Sequence, residues 1–187
     1  LDAREHNQLS FAYRIVGDNA NALKEMQTAL LLSPNKEQFW IEAGALQWDI
    51  GDVKAAQVSF NTAYALGKQF TELAVYAAGG NIAAGDTAAA DKVLLGAYGT
   101  TNVDSDILAV AYYRIKDWPH LIALWKARVQ MPGADANTWF SLASAYYVAG
   151  DSANAIKTIN AAIARYPEAA ASGAAAIKQI QSAPAGQ

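Results

Sequence analysis

The stretch AGDSANAIKTINAAIARYP, Ala149 to Pro167, opens with a pattern that recurs elsewhere in the chain. VGDNANAL begins at Val16, IGDVKAAQ at Ile50 and AGDTAAAD at Ala84. The glycines Gly17, Gly51, Gly85 and Gly150 are separated by 34, 34 and 65 residues. The last gap holds two periods less three residues, and IKDWPHL supplies the hidden member with Lys116-Asp117 in place of Gly-Asp. Five units at this period predict a helical solenoid.

Each Gly-Asp sits between two apolar patterns of helical spacing. Before Gly51 lie Trp40, Ile41, Ala43, Gly44 and Leu46; after it lie Val53, Ala56, Phe60, Ala63 and Tyr64. Glycine at the end of the first helix can take the left-handed conformation that closes a helix. Aspartate can then accept a hydrogen bond from a free N–H of the second helix, at its positive end. A phosphate or cation loop would need neighbouring glycines or clustered acids, and neither accompanies this dipeptide. Gly-Asp-x-x-x-Ala is therefore predicted to be a joint between helices.

Composition narrows the function classes. Of the 187 residues 53% are hydrophobic and only 17% charged, so the chain is globular with a surface rich in Ala, Asn, Gln, Ser and Thr. The net charge of −3, without a Lys/Arg run, argues against nucleic acid as a partner. With no cysteine, there is no disulfide framework, thiolate zinc site or Cys nucleophile. No apolar run is long enough to insert in a membrane. The opening LDAREHNQL, lacking Met, reads as part of a longer protein or a mature fragment.

The repeated residues resemble the tetratricopeptide repeat (TPR), a 34-residue helix pair. Matching positions are Leu9, Ser10, Tyr13, Ala22, Met26, Ala29 and Pro34 in the first unit, and Trp40, Ala43, Gly44, Ala56, Phe60 and Ala63 in the second. The third offers Ala77, Ala78, Ala90, Leu94 and Ala97; the fourth Leu108, Ala109, Tyr112, Leu121 and Trp125. The fifth matches best, with Trp139, Leu142, Ala143, Tyr146, Ala155, Ile159, Ala162 and Pro167. The resemblance implies an all-α, right-handed superhelix in a single domain over 1–183. Its repeats would occupy about 3–36, 37–70, 71–101, 102–135 and 136–167, with a capping helix at 168–182 and a tail at 183–187. GAYGTTNVDSD, Gly96 to Asp106, is the least regular joint, and Gly173 is expected to weaken the cap.

In that family one side of each first helix lines a concave groove that holds protein or peptide. By position the groove residues are Arg4, Asn7, Phe11 and Arg14; Gln38, Ile41, Ala45 and Trp48; Glu72, Val75, Gly79 and Ile82; Val103, Asp106, Val110 and Tyr113; and Asn137, Phe140, Ser144 and Tyr147. Phe11, Trp48, Tyr113, Phe140 and Tyr147 are candidate anchors, since aromatics dominate hot spots. For Trp48 and Tyr147, internal packing is an equal reading; for Trp40, Trp125 and Trp139, packing is favoured. Asn7 and Arg14 partly match the carboxylate clamp of chaperone-binding members, but Ile41, Ala45, Val75 and Gly79 depart from it.

No catalytic residue, cofactor or metal site is read. His6 and His120 fall in different units, and His120 in DWPHL is expected to face solvent or cap a helix. A narrower resemblance links ELAVYAAGGNIAAGD and DILAVAYYRIKDWPHLIALWKARV to the C-terminal repeats of bacterial O-antigen ligase or polymerase-like membrane proteins. It implies a repeat tail tethered at the inner membrane by a preceding membrane-embedded region. The expected role is a non-catalytic interaction scaffold, with that accessory tail or a self-assembling module as alternatives.

Overall fold

The computed structural model describes residues 1–182, so the tail read at 183–187 lies outside the described residues. The chain falls into two compact units, Leu1–Ala111 and Tyr112–Gln187. Among the described residues every regular element is a helix.

The first unit holds α1 (Ala3–Ile15), α2 (Asn19–Leu32), α3 (Glu37–Asp49), α4 (Val53–Leu66), α5 (Glu72–Ala83) and α6 (Thr87–Tyr98). It also includes the start of α7 (Asp106–Arg114). From α1 to α6 each helix packs on the next in sequence, as in an α-solenoid.

The joints explain why the helices stop and start where they do. Gly17, Gly51 and Gly85 have φ of 78°, 85° and 83°, in the left-handed region. A Cβ at any of them would meet nothing within 4 Å, so backbone conformation rather than space selects glycine. The following aspartate serves both helices. Its N–H closes the first, as Asp18 N–H donates to the Tyr13 carbonyl at 2.9 Å. Its carboxylate opens the second, as Asp18, Asp52 and Asp86 accept from the N–H groups of Asn21, Ala55 and Ala89.

Small residues let the pairs approach. Ala22, Ala29, Ala63 and Ala77 are fully enclosed. Phe60 of α4 packs against Trp48 of α3 and Tyr76 of α5, with ring centroids 5.7 Å apart in each pair. Gly44 and Gly80 leave room for its ring. Buried polar side chains are satisfied there: Asn81, 2% exposed, accepts from the Gln57 and Asn61 amides at 3.0 and 2.8 Å.

The second unit contains the end of α7, α8 (Trp118–Arg128), α9 (Ala136–Val148), α10 (Ser152–Arg165), a short turn of 3-10 helix (Pro167–Ala169) and α11 (Ala170–Ser182). Gly150 and Asp151 repeat the joint, with φ of 82° and an Asp151 carboxylate accepting from Asn154 N–H at 3.0 Å. The Asn154 side-chain amide and its backbone N–H hold the Asp151 carboxyl below the usual carboxylate range. Asp135 at the start of α9 is lowered in the same way by the Thr138 hydroxyl and N–H.

Lys116 completes the fourth joint without a glycine. It adopts φ 59°, and the Asp117 N–H still donates to the Tyr112 carbonyl at 2.9 Å. A left-handed non-glycine residue costs about 1–2 kcal/mol, whereas glycine adds up to about 1 kcal/mol of unfolded-state entropy. Lys116→Gly is therefore expected to stabilise the chain by about 0.5–1 kcal/mol, read from urea midpoints. A destabilised variant would mean that Lys116 contributes contacts outweighing its strain.

Gly173 has a packing role that its low helix propensity conceals. A Cβ there would lie 2.6 Å from Ile163 Cδ1 and 3.1 Å from Ile159 Cγ2. The missing side chain lets the first turn of α11 press onto α10, which sets where the cap runs.

Candidate functional site

The groove residues expected from sequence differ sharply in exposure. On α1, Arg4 is exposed, Asn7 half-buried and Phe11 56% exposed. Arg14 is held by Asp49 of α3, with Nε and Nη2 at 2.8 and 2.5 Å from Oδ2. Gln38 is exposed and donates to Glu42 at 2.8 Å, while Glu72 and Asp106 are exposed at the starts of α5 and α7. Ile41 and Trp48 are buried at 6% and 7% exposure. Of the two readings open for Trp48, packing accounts for it: the ring lies against Phe60 and 3.5 Å from where a Gly79 Cβ would be. Ile82 and Gly79 are enclosed as well, Gly79 by Ile107.

Two spaces border α1 and α3, an open one of about 310 Å³ lined by Asp2, Ala3, Arg4, Ser33, Lys36 and Phe39, and a much smaller one. A gap of about 10 Å³ is bordered by Asn7, Phe11, Arg14 and Glu42. That is room for about one water and no side chain.

In the second unit Tyr113 is 55% exposed, with its ring edge-on to Trp118 at 5.7 Å. Along α9, Asn137, Ser144 and Tyr147 are exposed and Phe140 is half-buried. Phe140, Ser144 and Tyr147 share one face by their spacing of four and three residues. They border an open cavity of about 230 Å³ together with Ala143 of α9. Ile159 of α10 forms part of its lining, and Ala176, Gln179 and Ile180 of α11 supply the rest. The residues of α10 and α11 escaped the sequence reading because the groove register was carried on first helices alone. The available signal was the four-residue spacing of Ala176 and Ile180 on the capping helix.

The wall lacks acid–base machinery. Its only titratable side chain is the Tyr147 phenol. His6 pairs with Glu25 at 2.6 Å, while His120 stacks on Tyr112 and bonds to Asp117 at 2.7 Å, where it joins the start of α8. Among the described residues no group of three His, Cys, Asp or Glu could hold a metal ion, and no helix is long and apolar enough to cross a membrane. Trp40, Trp125 and Trp139 are half-buried. The Trp40 indole donates to the Pro34 carbonyl at 2.7 Å, and the Arg128 guanidinium lies over the Trp125 ring at 4.5 Å.

A family model of the tetratricopeptide repeat matches residues 136–168, which span α9 and α10. No curated protein matches the chain in sequence, so the likeness to O-antigen ligase tails rests on the sequence reading alone. Among solved structures, the crystal structure of MamA protein is similar with a TM-score of 0.62 and 19% identity, over 90% of this chain and 93% of that one. A thermophilic TPR protein of Thermus thermophilus gives 0.59 and 15%, over 96% and 98%. YrrB, described as a TPR protein with an unusual peptide-binding site, gives 0.55 and 16%, over 89% and 87%. Residues 136–168 are thus a tetratricopeptide repeat, and the chain has the helix-pair fold of tetratricopeptide-repeat proteins.

Proposed function

We propose that the chain is a non-catalytic scaffold that binds a segment of another protein against α9, the first helix of the repeat at 136–168. The observation carrying this reading is the open cavity beside Phe140, Ser144 and Tyr147, three residues that the repeat register assigns to the groove. Exposed aromatic surface of this kind supplies large contact area at low entropic cost. The peptide-binding site ascribed to YrrB supports the same use of the fold. In the first unit the groove positions are less available, because Ile41 and Trp48 are buried and Arg14 is neutralised by Asp49.

The test is a peptide-display selection on the immobilised chain, followed by titration of an enriched peptide against variants. Tyr147→Ala is expected to weaken binding about tenfold or more, the scale of a hot-spot truncation, with helical content and melting unchanged. Enriched peptides that bind Tyr147→Ala and wild type equally would remove α9 from the site. A selection that enriches nothing would remove the scaffold reading.

A further inference from the structure

Resting on that reading, we infer that the cavity between α9 and α11 takes one bulky, uncharged apolar side chain of the bound segment, of the size of Leu, Met or Phe. Two observations converge on this occupant.

The first is volume. The cavity measures about 230 Å³. Pockets for drug-sized ligands and cofactors run about 300–1,000 Å³, whereas a dry apolar cavity of about 150 Å³ holds a benzene ring. The space suits a single side chain rather than a small-molecule cofactor.

The second is charge. From Ala136 to Val148, α9 carries no charged residue, and α11 carries only Lys178 from Ala170 to Ser182. The floor is apolar, formed by Ala143 and Ile159, both buried, and the mouth is formed by Phe140, Ser144, Tyr147 and Gln179. A carboxylate or ammonium seated there would lose its hydration and meet no counter-charge, so the lining rejects charged anchors. The cavity is also open to an incoming chain, with Ser144 and Gln179 exposed at its rim. It belongs to the capped last repeat, since α11 forms one wall, and it differs from the open space of about 310 Å³ in the first unit, which Asp2, Arg4 and Lys36 border with charge.

The selection described above provides the material, and three readouts test the inference. Enriched peptides should share one Leu, Met or Phe with uncharged neighbours. Their affinity should change less than about twofold between roughly 0.05 and 0.5 M NaCl, because no ion pair is formed. Ser144→Trp, which fills the mouth from an exposed position, should lower affinity at least about tenfold, the loss of one buried apolar anchor. Peptides sharing an acidic residue or a free carboxylate, with strongly salt-dependent binding, would overturn the inference. Binding that tolerates Ser144→Trp yet falls on Tyr147→Ala would also overturn it while leaving the scaffold reading intact. A concentration-dependent dimer of the unliganded chain, dispersed by Ser144→Trp, would assign the cavity to a second copy and overturn it as well.

Discussion

Phe60→Ala is expected to destabilise the first unit by about 3–5 kcal/mol, the range for truncating a buried aromatic side chain. Phe60 is 2% exposed and stands where three helices meet, touching Trp48 of α3 and Tyr76 of α5 from its place on α4. The backbone around it cannot easily close the void, because Gly44 and Gly80 already bring the neighbouring helices as near as the ring allows. Whole domains are stable by about 5–15 kcal/mol, so this loss is a large share. Urea melts followed by tryptophan fluorescence and circular dichroism measure it. A loss below about 1 kcal/mol would show that the unit repacks without the ring.

Gly44→Ala should also destabilise, although alanine favours a helix interior by about 1 kcal/mol over glycine. The new Cβ would stand 2.5 Å from both Cδ1 and Cε1 of Phe60. An aromatic ring enclosed on several sides cannot swing away as a lysine tip would, and overpacking of this kind costs about 1–3 kcal/mol. The net expectation is a loss of about 1–2 kcal/mol, so sterics outweigh propensity. Pairing Gly44→Ala with Phe60→Leu should recover part of it, a coupling that a double-mutant cycle reads directly. Gly96→Ala provides the opposite sign. It lies in α6 with nothing within 4 Å of the added Cβ, so propensity alone acts and stabilises by about 0.5–1 kcal/mol. If both alanines shifted stability the same way, the close approach at Gly44 would not govern the packing of α3 on α4.

The helix joints were readable because Gly-Asp is dictated by local physics. A positive φ selects glycine, and one aspartate satisfies the end of one helix and the start of the next. Even Lys116-Asp117 kept the geometry, since the backbone bonds of the joint form without a glycine. Depth was much less readable. Periodicity assigns Ile41 and Trp48 an angle on α3, but their burial depends on helices distant in sequence. Glycine at 79 draws α5 close to Trp48, and Ile107 then covers that spot. Propensity also says nothing of the close approach at Gly173, where an added Cβ would meet Ile159 and Ile163. Phe140, Ser144 and Tyr147 fall on one face of α9, where they border the cavity. The opposite wall was missed because a repeat register says nothing about a helix that lies outside the repeats.

The central claim is that a bound segment lies against α9 and α11. Hydrogen–deuterium exchange of the chain, with and without a selected peptide, tests it most directly. The account predicts slowed exchange in 136–148 and 170–182, with smaller changes over α2, α4 and α6. Protection confined to those second helices, with 136–148 and 170–182 unchanged, would contradict it.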